Sequence, residues 1–267
     1  MTLFNLLLVA IVQGITEFLP VSSSGHLILL PNLTGLADQG LAIDVAVHVG
    51  TLVAVVLYFR QDVGRAIRGG GHLLRGRTDS PESRLALGLV VATIPVVIAG
   101  FVLKITGLSD MLRSVAVVGW ATLVFGLLLY VADQRGPQTR DAGDWTLSHA
   151  LWMGLWQAVA LIPGTSRSGI TITASRLLGY ERQEGARLAM LMSIPTILAS
   201  GTLLGLDIAS EGTFTAVRES AIAAAFACLA ALAALSLMMR LLSSVSYTPY
   251  VIYRIFLGLA LLAYAYL

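Results

Sequence analysis

QGITEFLPVSSSGH, running from Gln13 to His26, interrupts what would otherwise be one apolar segment over residues 3–31. A proline, glycines and three consecutive hydroxyls at membrane depth leave backbone N–H and C=O groups without helical partners. Hydrocarbon offers them no water, so such a break is tolerated only where it is buried in protein or lines a watery cavity. The stretch therefore predicts a re-entrant helix–loop–helix hairpin that leaves on the side it entered. A second break of the same kind, QAVALIPGTSRSG from Gln157 to Gly169, interrupts the apolar segment 147–178. Shifted by 144 residues, Gln13 falls on Gln157, Ser22 on Ser166, Ser24 on Ser168 and Gly25 on Gly169.

Outward from the breaks, six stretches read as full spans: 42–60, 84–104, 113–132, 187–207, 219–240 and 250–267. Each is close to the roughly 20 apolar residues that cross the hydrocarbon core as a helix. Pro95 and Pro195 fall inside spans, where membrane helices tolerate a kink. Each break is followed by three spans, so the second half starts on the opposite face. The expected fold is an all-α polytopic membrane protein with six transmembrane helices plus two re-entrant hairpins in an inverted repeat. It forms a single membrane domain, 1–267, built of pseudo-repeats 1–135 and 145–267. Inverted repeats place discontinuous helices and the functional site near the repeat interface.

Composition agrees. Of 267 residues, 57% are hydrophobic and 12% charged, half the roughly 25% charge of soluble domains, which excludes an ordinary soluble enzyme. A net charge of +2 gives no reason to expect nucleic acid. The lone Cys228 offers neither a disulfide within the chain nor a cysteine metal site, and reads as a small packing residue. Residues Met1–Val12 are apolar, with no preceding Lys or Arg and no small-residue cleavage site, so this segment is expected to stay in the mature protein.

The charges fix an expected orientation. In this topology the loops 60–84, 133–147, 176–187 and 240–254 share one side and hold 13 arginines, among them Arg65, Arg140, Arg176, Arg187 and Arg254. The opposite side has Lys104, Arg113 and Arg218. The positive-inside rule places the 13 in the cytoplasm. Both termini and the mouth of the first hairpin then face outward. The triplet Gly69–Gly71 reads as a flexible connection in the basic loop.

Glu17, His26, Asp44, His48 and Arg167 are expected at or near membrane depth, where a charge costs about 2.5–3.5 kcal/mol on insertion scales and marks a functional candidate. Gln13 and Glu17 share a helical face just before the first break. Glu17 can bind a divalent cation or act as base or orienter, or simply pair with Arg167 for packing. Ser22, Ser23 and Ser24 open the next half-helix, where hydroxyls and free N–H groups favour an anion but also make an ordinary cap. His26 follows directly. Thr165, Ser166, Arg167 and Ser168 repeat the pattern, and a guanidinium suits phosphate bidentately. Asp44 and His48, four apart on one helix, read as a hydrogen-bonded pair sooner than as direct catalysts. A carboxylate, an imidazole, hydroxyls, a guanidinium and two helix N-termini suit phosphoryl transfer, where positioning and charge stabilisation dominate.

At QGITEFLPVSSSGHLIL and PGTSRSG, and in the order of spans between them, the sequence resembles the bacterial undecaprenyl-pyrophosphate phosphatase family of the BacA or UppP type. That resemblance implies a multi-pass enzyme of the bacterial cytoplasmic membrane, reached from the outer face, hydrolysing undecaprenyl pyrophosphate to the monophosphate. It further implies lipid-carrier recycling for peptidoglycan and other envelope polymers, a divalent cation (Mg2+ or Ca2+), and bacitracin resistance on overproduction. The family's acidic motif falls on Gln13 and Glu17; Gln13 stands where some members have Glu, so Glu17 alone supplies an anionic ligand. The family's Ser/His stretch falls on Ser22, Ser23, Ser24 and His26, and its phosphate-binding arginine on Arg167. The favoured reading has His26 attacking the terminal phosphorus while Ser23 and Arg167 hold phosphate oxygens and Glu17 places metal or water. The other reading gives the attack to Ser23 and the proton to His26. Ser22, Ser24, Thr165, Ser166 and Ser168 are further phosphate contacts, with Gln13, Asp44 and His48 behind them. A transporter or flippase of a phosphate-bearing lipid would use the same inverted-repeat site. Small residues in the last spans leave a homodimer open.

Overall fold

The structure, a computed structural model, describes residues 2–34, 40–108, 112, 114–208 and 214–267. In chain order its helices are α1 (Leu3–Phe18), α2 (Ser23–Thr34), α3 (Leu41–Tyr58), α4 (Arg60–Leu74), α5 (Pro81–Thr106) and α6 (Val115–Arg135). A short 3-10 turn at Ala142–Asp144 precedes α7 (Leu147–Val159), α8 (Arg167–Leu177), α9 (Arg182–Ile208), α10 (Phe214–Leu241) and α11 (Thr248–Tyr266). Among the described residues the only β-pairing is a single bridge between Arg140 and Tyr180.

Both interrupted segments are pairs of short helices, α1–α2 and α7–α8, parted where Pro20 and Pro163–Gly164 fall. Among the described residues five helices are long and apolar enough to cross a membrane: α3, α5, α6, the Val217–Leu241 part of α10, and α11. Much of their surface faces outward with large apolar side chains, among them Phe101, Trp120, Leu229 and Phe256, each more than half exposed. This is the face that hydrocarbon requires of a spanning helix. The sixth expected span, 187–207, lies in α9, a helix of 27 residues that stands apart from those five. Leu188, Ala189, Met190, Leu191, Met192 and Ser193 are buried in succession, as in a helix packed on all sides. Its neighbours are α3, α5 and α8.

The packing is reciprocal. Helix α1 lies on α10 and α7 lies on α5, while α3 meets α9 and α10, and α9 meets α3 and α5. Exchanging α1 with α7, α3 with α9 and α5 with α10 maps this set of contacts onto itself. Each of the two half-helices approaches its partner through a glycine. A methyl at Gly14 would stand 2.6 Å from the Ala227 carbonyl oxygen, and one at Gly154 would stand 2.5 Å from that of Ala92.

Three expectations are corrected. Residues 60–74, read as loop, form the amphipathic helix α4, and Gly69–Gly71 lie within it. Gly69 is there because α5 leaves no room for a side chain: an added methyl would fall 1.9 Å from the Glu82 carbonyl. Arg176 belongs to the last turn of α8 and is fully buried. It pairs with Asp133 and donates to the carbonyls of Gly136, Pro137 and Tyr180. Arg254, counted among the loop arginines, lies in α11 and is likewise fully buried. The Arg-rich end is further knitted by Asp133 with Arg182 at 2.8 Å and Asp62 with Arg187 at 2.5 Å. Arg113, on the opposite side of the charge count, lies outside the described residues.

Candidate active site

The two breaks share a local geometry that their sequences explain. Ser22 and Ser166 both adopt the left-handed region, with φ of 73° and 69°, at a cost of about 1–2 kcal/mol for a residue with a Cβ. Each hydroxyl then turns onto the start of the following helix. The Gly25 N–H donates to Ser22 Oγ at 3.3 Å, and the Gly169 N–H donates to Ser166 Oγ at 3.1 Å. These are helix caps, and they satisfy donors that the break would otherwise orphan. Ser24 lies 3.1 Å from Ser22, and Ser168 lies 3.1 Å from Ser166, in each case hydroxyl to hydroxyl.

The breaks also touch each other. The Gly164 N–H donates to Ser24 Oγ at 3.3 Å, and Ser168 Oγ donates to the Leu19 carbonyl at 2.9 Å. Glu17 is the centre of the contact. Its Oε2 accepts from Gln13 Nε2 at 2.7 Å and from Ser23 Oγ at 3.0 Å, while its Oε1 accepts from Arg167 Nη2. Arg167 Nη1 donates to the Ser193 carbonyl in α9 at 3.1 Å. The ion pair thus joins the end of α1 to the start of α8, 150 residues apart.

These groups open onto a cavity of about 290 Å³. Its polar wall is Glu17, Ser22, Ser23, Ser24, His48, Gln157, Ser166 and Arg167, with Thr196 and Ser200 of α9. His48 faces Glu17, Nε2 to Oε2, at 3.8 Å. Its Nδ1 lies 2.7 Å from the Asp44 carbonyl. A carbonyl only accepts, so Nδ1 carries a proton, and Nε2 is the ring nitrogen left facing Glu17 and the cavity. The Asp44–His48 bond is therefore imidazole to main chain, not side chain to side chain.

His26 is placed differently. It does not line this cavity. Its Nδ1 donates to the Ser22 carbonyl at 2.7 Å, and its Nε2 meets the Tyr253 hydroxyl at 2.5 Å, the rings stacking with centroids 5.6 Å apart. With Nδ1 protonated, Nε2 accepts from Tyr253 and its lone pair is occupied. Thr165 and Ser168 are also buried away from the cavity wall, and Thr165 Oγ1 has no hydrogen-bond partner.

For a divalent cation the donors are few. Among the described residues no three His, Cys, Asp or Glu side chains converge to hold a metal ion. The Gln13 amide oxygen is buried without a partner beside Glu17. One carboxylate and one orphaned amide oxygen suit a hard cation, provided phosphate oxygens supply the rest of its shell.

Sequence reasoning missed Arg254 and Tyr253. The signal for Arg254 was the one that singled out Arg167, a lone charge in an apolar stretch. It was obscured because Arg254, although inside the span 250–267, was counted with the arginines of the overlapping loop 240–254.

An all-helical, multi-pass architecture with carboxylate, hydroxyls and guanidinium drawn together at two broken helices defines a class: a membrane protein that handles a phosphate-bearing group. A family model described as "Bacitracin resistance protein BacA" matches residues 6–260. The chain is 66% identical to the undecaprenyl-diphosphatase of Dinoroseobacter shibae and 67% identical to that of Ruegeria pomeroyi, in each case over 266 residues and the full length of both chains. It is 45% identical over 266 residues to the undecaprenyl-diphosphatase of Hahella chejuensis, spanning 99% of that protein. The chain belongs to the BacA family.

Proposed function

We propose that this chain hydrolyses undecaprenyl pyrophosphate to undecaprenyl phosphate and inorganic phosphate, recycling the lipid carrier for cell-wall synthesis. The observation that carries the reading is the Glu17–Arg167 pair across the two breaks, with the Ser23 hydroxyl on the same carboxylate. The family and the undecaprenyl-diphosphatases it resembles over their full length support it.

Ser23 attacks the terminal phosphorus while Glu17 Oε2, 3.0 Å away, takes its proton. The anhydride bond breaks, undecaprenyl phosphate leaves as the anion, and a phosphoserine remains. Water then attacks that phosphorus with its proton passing to His48 Nε2, and Glu17 returns a proton to the departing Ser23 oxygen. Arg167, with the hydroxyls of Ser24 and Ser166, holds the phosphoryl oxygens as charge builds. Glu17, with Gln13 beside it, would hold a divalent cation, Mg2+ or Ca2+, together with phosphate oxygens. Such a cation would neutralise charge on the pyrophosphate.

The topology that goes with this reading is six spans and two re-entrant hairpins in an inverted repeat, one domain over 1–267. The reciprocal packing of α1 on α10 and α7 on α5 supports it. In a bacterial cytoplasmic membrane the arginine-rich end faces the cytoplasm, and the cavity and both chain ends face outward.

Purified protein given undecaprenyl pyrophosphate with magnesium or calcium releases phosphate. Ser23→Ala and Glu17→Gln each lose at least about a hundredfold in rate. Quenched wild-type protein carries an acid-stable phosphate on Ser23. Full activity in Ser23→Ala would sink the assignment. Movement of labelled lipid across liposomes without hydrolysis would turn the reading to a transporter.

A further inference from the structure

Arg254 is an arginine where a membrane helix has least room for one. It is fully buried in α11, and among the described residues no carboxylate pairs with it. Its partners are main-chain carbonyls instead. Nε donates to Thr122 at 3.0 Å, Nη1 to Pro20 at 3.4 Å, and Nη2 to Gly164 and Thr165 at 3.1 and 2.9 Å. Pro20 belongs to the first break, Gly164 and Thr165 to the second, and Thr122 to α6. One guanidinium therefore gathers carbonyls from both breaks and from the helix behind them.

The carbonyls of Pro20 and Thr165 lie in the breaks themselves, and that of Gly164 is shared with the Thr122 hydroxyl, which donates to it at 3.2 Å. In a break the helical ladder stops, and at membrane depth no water replaces it. Arginine answers with five N–H donors fixed in a plane, whereas lysine has three on a flexible stem. The contacted residues sit just before the left-handed serines: Pro20 two residues ahead of Ser22, and Thr165 next to Ser166. Fixing those carbonyls fixes where the two left-handed turns lie relative to each other, and so the gap between Ser23 and Arg167. Packing encloses the guanidinium closely. A methyl at Gly126 would stand 3.1 Å from Arg254 Cβ and Nε, and one at Gly169 would stand 2.7 Å from Nη1.

We infer that Arg254 is a positioning residue that clamps the two breaks in register and, through them, aligns the serine, carboxylate and guanidinium of the active site. The catalytic half of the inference rests on the phosphatase reading; the clamp itself does not.

Two measurements separate them. Hydrogen exchange on the full-length protein in nanodiscs reads the breaks directly, and phosphate release from undecaprenyl pyrophosphate reads the alignment. In Arg254→Lys, exchange rises in both 19–26 and 160–169, and kcat falls at least about tenfold while KM changes less than about threefold. Exchange confined to α11, with wild-type kcat, overturns the inference. Loosened breaks in a protein whose wild type hydrolyses nothing would uphold the clamp and sink the phosphatase reading. If Arg254→Lys does not fold, Gly126→Ala takes its place. It keeps the arginine and presses a methyl against its stem from α6. The same two signals in that variant support the clamp, and their absence overturns it.

Discussion

Glu17 has four polar neighbours competing for two oxygens: Gln13, Ser23, Arg167 and, at 3.8 Å, His48. Removing one partner of a buried pair costs about 3–5 kcal/mol because the survivor is left charged and dry. Arg167→Met is thus expected to lose thermal stability as well as activity. His26 is a sharper case, because sequence and structure pull it apart. By position it follows three serines and a carboxylate, which made it the favoured nucleophile. By geometry its Nε2 is engaged by Tyr253 and its Nδ1 holds the Ser22 carbonyl. In this arrangement it is bonded to the main chain of the left-handed turn at Ser22. His26→Gln, which can still offer an N–H, should retain more kcat than His26→Ala, and phosphate trapped on the wild type should sit on serine. Equal abolition by both substitutions, with an acid-labile phosphohistidine, would return the attack to His26. The residue types of the site were readable from the two motifs. Which side of a half-helix each faced was not, because α2 and α11 come together only in three dimensions.

At the scale of elements, the half-helices were legible because hydrocarbon forbids unpaired backbone: a proline and a run of hydroxyls inside an apolar segment have few other solutions. Helix α4 was not legible. Three consecutive glycines argue for a loop, each costing about 1 kcal/mol relative to alanine in a helix. Packing against α5 overrides that propensity, and the override belongs to one glycine of the three. Gly69 lies against the Glu82 backbone, whereas added methyls at Gly70 and Gly71 would meet nothing within 4 Å. The triplet should therefore split in a thermal-denaturation series. Gly70→Ala and Gly71→Ala stabilise by about 0.5–1 kcal/mol each, since alanine keeps its helical preference and frees no less surface. Gly69→Ala destabilises by about 1–3 kcal/mol, because the helix must move off α5 to admit the methyl. A uniform effect at all three positions would mean that α4 is not docked on α5 in this way.

At the scale of the molecule, the proposed active site draws on both of the proposed halves. Residues 1–135 bring Glu17, Ser22–Ser24 and His48; residues 145–267 bring Ser166 and Arg167, with Arg254 reaching back to Pro20 and Thr122. The halves are also exchanged in packing, since α1 rests on α10 and α7 on α5. A half expressed alone would leave the face of α1 that carries Gly14, and the break beside it, without a partner. The exposed turn at Ala142–Asp144 lies between the halves and outside the site, so a chain cut between Gly143 and Asp144 can in principle reassemble through those faces. Co-expressed fragments should co-purify and release phosphate from undecaprenyl pyrophosphate, and neither fragment alone should do so. The decisive pairing puts Glu17→Gln on the first fragment with a wild-type second fragment, and Arg167→Met on the second with a wild-type first. Both mixtures should still co-purify, because the helix faces are untouched, and both should be inactive, because each lacks one side of the pair that joins the breaks. Hydrolysis by a single fragment, or by either mixture at the wild-type rate, would show that one half holds a complete site and would remove the reason for reading the two breaks as one.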